Sequence, residues 1–164
     1  MARTAKHAAG TPATKVLVAA GVPHTLHSYE HDPSVANYGL EAATELGIDP
    51  ARVFKTLLVS VEGSLAVAVV PVSGSLDLKK CAAALGAKRA AMADPKDAER
   101  RTGYVLGGIS PLGQRQASPT VIDRSALDFP TILVSGGRRG LDIELAPADL
   151  LRLTGARSAA IAAG

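Results

Sequence analysis

Residues 53 to 70 constrain this chain more than any other stretch. Val53 to Val61 alternates apolar and polar side chains, and after Glu62-Gly63-Ser64 comes Leu65 to Val70, a nearly continuous run of apolar, β-favouring residues. Alternation predicts a strand, a short unbroken apolar run predicts a buried strand, and the glycine-containing connection predicts that the two pair as an antiparallel hairpin. Whatever else the chain does, it must cover this hairpin.

The flanking segments supply helices for that purpose. Thr11-Pro12 reads as an N-cap with proline at the first helical position, and Val16, Leu17 and Ala20 recur at helical spacing until Gly21. Further helices are predicted over Tyr38 to Leu46 before Gly47, Asp77 to Leu85 before Gly86, Asp94-Pro95 to about Arg101, and Pro147 to Leu153. Asp49-Pro50 marks a short capped turn. Strands are predicted at His24 to Tyr29, Thr120 to Ile122, Thr131 to Val134, Leu141 to Leu145 and around Ser158 to Ile161, with turn-rich loops at Gly107 to Gly113 and Ser135 to Gly140. The interleaving lacks a regular βαβ rhythm, which predicts a mixed α/β fold built on a mixed sheet.

With 164 residues and 47% hydrophobic composition drawn from Ala, Val and Leu, the chain fits one domain with a close-packed aliphatic core. Residues 1–10 are expected to form a flexible tail and residues 11–164 the domain. The single cysteine, Cys81, excludes an internal disulfide, and no apolar run approaches the ~20 residues needed to span a bilayer, so a cytoplasmic location is expected. The net charge of +3 is modest, but Lys79-Lys80, Lys88-Arg89, Arg100-Arg101 and Arg138-Arg139 would suit a polyanion if the fold gathered them.

Lys55 is the most informative ionisable residue. Alternation places it with Leu57, Val59 and Val61, on the apolar side of its strand. A buried, unpaired ammonium is expensive, so the residue either snorkels to water at the strand end or enters a polar cavity where an anion meets it. Gly107-Gly108-Ile109-Ser110 and Ser135-Gly136-Gly137-Arg138-Arg139-Gly140 set glycines beside hydroxyls, which lets backbone N–H groups approach an oxyanion, ribose or phosphate. Neither matches a nucleotide-binding fingerprint. Cys81 falls within a predicted helix as core filler, and His27 and His31 lie on strand and turn, not one helical face, which argues against a metal pair. No nucleophile elbow surrounds Ser110 or Ser135, so a serine hydrolase is disfavoured and a nucleophile from the protein is not evident.

Seven blocks carry a resemblance: Tyr29-Glu30-His31-Asp32, Phe54-Lys55-Thr56-Leu57, Leu76-Asp77-Leu78-Lys79-Lys80, Met92-Ala93-Asp94-Pro95, Thr102-Gly103-Tyr104, Gly107 to Gly113 and Ser135 to Glu144. In order and spacing the chain resembles the YbaK/EbsC family, which is similar to the editing domain of bacterial prolyl-tRNA synthetases. The resemblance implies a curved, barrel-like mixed sheet surrounded by helices, and hydrolysis of mischarged aminoacyl-tRNA, Cys-tRNA(Pro) above all. It implies that Lys55 holds the 3′ end of the tRNA, with Tyr29, Thr56, the Gly107 loop, Ser135 and Asp142 lining the pocket. Lys55, Gly107 and Asp142 are the expected catalytic group, and Tyr29, Thr56, Gly108, Ser110, Ser135 and Gly136 the expected substrate-binding group. The substrate's own thiol would close on the ester carbonyl, or assist water, while backbone amides at Gly107-Gly108 or Gly136-Gly137 stabilise the oxyanion. No cofactor or metal is expected. The implied partners are the 3′ end of aminoacyl-tRNA and prolyl-tRNA synthetase, with no membrane and no DNA. Other readings are a deacylase for another mischarged tRNA such as Ala-tRNA(Pro), and a non-catalytic tRNA-binding accessory of the synthetase.

Overall fold

The computed structural model describes residues 10–163; the expected tail, but for Gly10, lies outside the described residues. Its centre is the hairpin of β2 (Phe54–Val61) and β3 (Ser64–Pro71), paired antiparallel in register from Phe54↔Pro71 to Val61↔Ser64. The turn is tighter than the sequence suggested. Glu62 and Gly63 alone form it, both at positive φ (50° and 88°), the arrangement whose twist matches a two-residue hairpin.

The unbroken apolar run of β3 has a simple cause: both of its faces are covered. Val67 and Val69 join Phe54 and Leu58 in one cluster, while Ala66, Ala68 and Val70 join Val59 and Cys81 in another on the opposite face. The hairpin sits inside a mixed sheet of order β5-β2-β3-β6-β9, where β5 is Ala91–Met92, β6 Thr120–Asp123 and β9 Arg157–Ala159. β6 is parallel to both β3 and β9, and β5 is antiparallel to β2. A second, antiparallel sheet has the order β1-β8-β7, from Thr25–Ser28, Leu141–Leu145 and Ile132–Arg138. Its Ile132, Val134, Ile143 and Leu145 face the first cluster. The sheets meet at a parallel bridge, Val53↔Leu133, and do not close into a barrel. β4 (Ser75–Leu76) and β10 (Ala162–Ala163) form a small ribbon.

Among the described residues five helices cover these sheets: α1 (Pro12–Ala20), α2 (Tyr38–Leu46), α3 (Leu78–Ala84), α4 (Pro95–Thr102) and α5 (Pro147–Thr154). Four are capped by a side chain that accepts a backbone N–H of the first turn: Thr11 and Asp94, where the sequence predicts a helix start, and Asn37 and Asp77, the latter one residue ahead of its helix instead of inside it. The fifth, α5, has no side-chain cap and starts on Pro147. A buried carboxylate ties the end of the described chain down. Asp123 accepts the Ser125 hydroxyl (2.6 Å) and the N–H groups of Ser125, Ile161 and Ala162. Burial pushes its pKa up, but these four donors outweigh it and hold the carboxyl below its ordinary value.

The segment Ser135 to Gly140 departs from the expected loop. Ser135 to Arg138 continue β7, with an irregularity in the ladder between Ser135 and Arg138, and only Arg139-Gly140 make the turn into β8. Glycine permits this because a Cβ on Gly136 would come 2.6 Å from the Leu141 side chain. No helix among the described residues is long and apolar enough to cross a membrane.

Candidate active site

A cavity of about 520 Å³ lies where β2 begins, between α2 and the loop at residues 106–109. Lys55, Thr56 and Leu57 bring β2 to it; Asn37, Tyr38 and Gly39 bring the first turn of α2; Leu106, Gly107 and Ile109 bring the loop; Tyr29, Ser135 and Asp142 bring the second sheet. The size is within the range of small-molecule sites.

Lys55 and Thr56 alternate across β2 as the sequence requires, and both reach this wall. Lys55 is partly exposed and its ammonium makes no ion pair or hydrogen bond with any described residue, which favours the polar-cavity reading of its charge. The Thr56 hydroxyl is buried without a partner. Leaving such a group unpaired costs about 1–3 kcal/mol.

Asp142 is the second charged wall residue. It stands opposite Ser135 on one side and His27 on the other, is only 6% exposed, and its carboxyl group accepts no hydrogen bond from a described residue. Burial alone pushes its pKa up to about 7, with no cation opposing the rise. Tyr29 is pushed up to about 12, first by burial and then by the Asp142 carboxylate. The shift of Asp142 carries a sign for stability. Between pH 4 and 7 the folded state binds more protons than the unfolded chain, so stability falls as pH rises across that window. Asp142→Asn is expected to stabilise the protein at pH 8 by about 1–3 kcal/mol and to change little at pH 4. The ceiling for the full shift is roughly 4 kcal/mol, and the amide must still be desolvated. Urea denaturation at the two pH values checks this, and equal effects at both would contradict it.

The rim is built by long-range contacts. The Tyr38 ring packs over Gly107, where a Cβ would lie 2.6 Å from it, and the Arg139 guanidinium sits 4.8 Å from the ring centroid. Arg139 also donates to the Leu106 carbonyl (2.8 Å). Of the four basic pairs, Arg138-Arg139 is therefore the one tied to the cavity wall. Asn37 and Tyr38 were not among the residues anticipated from sequence. Locally they read only as a helix start, and their role depends on Gly107 lying beneath.

Six of the nine anticipated residues line the cavity: Tyr29, Lys55, Thr56, Gly107, Ser135 and Asp142. Gly108, Ser110 and Gly136 are not on that wall. Gly108 lies behind it, its N–H donating to the Val105 carbonyl, and a Cβ there would come 2.8 Å from the Arg138 backbone. Ser110 is fully buried, its hydroxyl accepting the Leu112 N–H, and the Gly136 carbonyl accepts the Thr11 hydroxyl (2.6 Å). The Gly107 N–H, by contrast, donates to no described group. Neither histidine nor cysteine lines the cavity, and the Ser135 hydroxyl accepts from the Gly137 N–H, with no base among its described partners. Among the described residues, no three His, Cys, Asp or Glu side chains gather to hold a metal ion.

The sequence profile of the aminoacyl-tRNA editing domain matches residues 32–153. The chain belongs to this family. It is similar to a protein of Enterococcus faecalis named as a Cys-tRNA(Pro)/Cys-tRNA(Cys) deacylase, EbsC, with 43% identity over 135 residues, covering 81% of this chain and 82% of the relative. It is also similar to a proline–tRNA ligase of Acidithiobacillus ferrooxidans, 36% identical over 87 residues. That match covers 53% of this chain and 15% of the ligase. In three dimensions the chain resembles a protein described as a trans-editing enzyme for prolyl-tRNA synthetase. The TM-score is 0.79 at 25% identity, with 93% of this chain and 96% of the other covered. The family assignment agrees with the resemblance read from the seven sequence blocks, and the mixed α/β architecture agrees with the expected class.

Proposed function

We propose that this editing domain deacylates mischarged aminoacyl-tRNA in trans, with Cys-tRNA(Pro) as its principal substrate. The observation that carries the reading is an unpartnered ammonium, Lys55, on the wall of a cavity that is also lined by Gly107, whose backbone N–H has no partner among the described residues. The name borne by the Enterococcus relative supports the choice of cysteine.

In this reading Lys55 meets the phosphate or ribose oxygens of the tRNA's 3′ end, where its charge is desolvated and correspondingly strong. The free Gly107 N–H stabilises the oxyanion that forms at the ester carbonyl. The wall has no activated nucleophile, so the attack comes from the substrate's thiol, held close to its own carbonyl, or from a water that the thiol assists. The thiol route forms a C–S bond and breaks the C–O ester bond, and the proton lost by sulfur ends on the released ribose hydroxyl. Prolyl-tRNA synthetase is a fitting partner, since a pocket of this size reads the acylated terminus and little of the tRNA body.

Preformed Cys-, Ser- and Ala-tRNA incubated with the purified protein test the mechanism. Cysteine should be removed at least about tenfold faster than the other two, because only it offers a thiol that ionises near neutral pH. Equal rates for all three would eliminate substrate-thiol assistance, and absence of deacylation with every substrate would eliminate the enzymatic reading.

A further inference from the structure

Two opposite charges stand on the wall of one cavity without neutralising each other. Lys55 on β2 and Asp142 on β8 both line it, yet they form no ion pair, and no other cation pairs with Asp142 among the described residues. Its neighbours from the packed elements are Tyr29, Ser135 and His27. Tyr29 faces it as a neutral phenol, Ser135 holds the Gly137 N–H, and the His27 ring is turned to Glu144 at 2.7 Å. A carboxyl group kept nine-tenths buried, free of donors and open to a cavity is a receptor waiting for a cationic or hydrogen-bond-donating ligand group.

The proposed substrate carries such a group. An aminoacylated 3′ terminus bears anionic phosphate at one end and, on the carbon next to the scissile carbonyl, an α-ammonium. We infer that Asp142 is the receptor for the α-amino group of the aminoacyl ester, so that the Lys55–Asp142 pair orients the substrate by its two charges and excludes aminoacyl-tRNA whose amine is blocked. This inference rests on the deacylase reading and deepens it. Complementary charges at separate points of a cleft orient the ligand that bridges them, and an N-acylated terminus would leave the carboxylate both buried and unpaired. The consequence is a site that spares N-acylated species, including any terminus bearing a peptide.

The test compares three thiol-bearing esters of the same tRNA: cysteinyl, N-acetylcysteinyl, and 3-mercaptopropionyl, which lacks the amine altogether. Each enzymatic kcat/KM is divided by that ester's spontaneous hydrolysis rate, which removes the intrinsic effect of the ammonium on ester reactivity. With the unmodified protein, the cysteinyl ester should exceed each of the others by about 10-fold or more, the magnitude of one charge-assisted hydrogen bond. In Asp142→Asn the preference over the 3-mercaptopropionyl ester should fall to within about twofold. A merely structural role for Asp142 would lower all three rates together and leave the ratios intact. The inference is overturned if the unmodified protein treats the three esters alike, or if Asp142→Asn preserves the preference. Hydrolysis of the cysteinyl ester in those cases would leave the deacylase reading standing, whereas no hydrolysis of any ester would overturn both.

Discussion

Lys55→Ala is expected to lower kcat/KM for Cys-tRNA deacylation by about 100-fold or more while leaving the fold and its stability nearly unchanged. The Lys55 side chain makes no ion pair or hydrogen bond with a described residue, so its removal breaks no network inside the protein. Such a change alters stability by roughly 0.5 kcal/mol at most. The loss falls instead on the complex. Removing one partner of a desolvated, hydrogen-bonded charge pair costs about 2–5 kcal/mol, since the anion left behind has neither water nor counter-charge. Lys55→Arg should recover only part of the rate, because a planar fork replaces a compact ammonium in a fixed space. Circular dichroism and thermal melting establish the fold, and deacylation of preformed Cys-tRNA gives the rate. An unchanged rate in Lys55→Ala would remove the residue from the mechanism.

Gly107→Ala is expected to disturb both stability and activity, for two separable reasons. Gly107 has φ +83°, where an L-residue is strained, and a Cβ there would lie 2.6 Å from the Tyr38 ring. Left-handed strain costs about 1–2 kcal/mol and overpacking a further 1–3 kcal/mol, so a total of about 2–5 kcal/mol is expected. Gly63→Ala provides the matched control. That glycine has φ +88° in the β2–β3 turn, and a methyl group there would meet nothing within 4 Å, so it should show the conformational part alone. The difference between the two variants isolates the contact with Tyr38. Deacylation should fall more than about tenfold in Gly107→Ala only, because the loop's free N–H is displaced from its aim. Equal destabilisation of the two variants, with full activity in Gly107→Ala, would show that the ring does not position the loop.

What the sequence made legible was local. Thr11-Pro12, Asp77 and Asp94-Pro95 each satisfied the orphan N–H groups of the helix that follows, and Gly21, Gly47 and Gly103 took the left-handed positions that end helices. The hairpin followed from alternation and an apolar run. The two-residue strands β4, β5 and β10 were invisible because so short a piece has no period to read, and they exist only because a partner strand is at hand. Ser135 to Arg138 read as a loop for a related reason. Glycine lowers strand propensity, yet pairing with β8 and the tight space beside Leu141 override it.

The candidate site divides along the same line. Lys55 stood out as a cation among apolar neighbours, and Tyr29, Thr56, Gly107, Ser135 and Asp142 were anticipated through family resemblance. All six converge on one cavity. No pattern within the sequence tied position 38 to positions 107 and 139, because the contact depends on the fold bringing distant segments together. Gly108, Ser110 and Gly136 share short motifs with wall residues but point their hydrogen-bonding groups inward, so adjacency in the chain did not become adjacency in space.

The contacts of Tyr38 with Gly107 and Arg139 form one border of the cleft, here called its mouth, and β2 forms another, its floor. The floor is an extension of the buried hairpin and can change only by repacking a core. The mouth hangs on one aromatic ring gripped by a surface arginine, so its aperture is adjustable from outside the hydrophobic interior. A lineage could thus retune which short acyl groups pass that gateway by drifting at exposed positions, with the machinery underneath left intact.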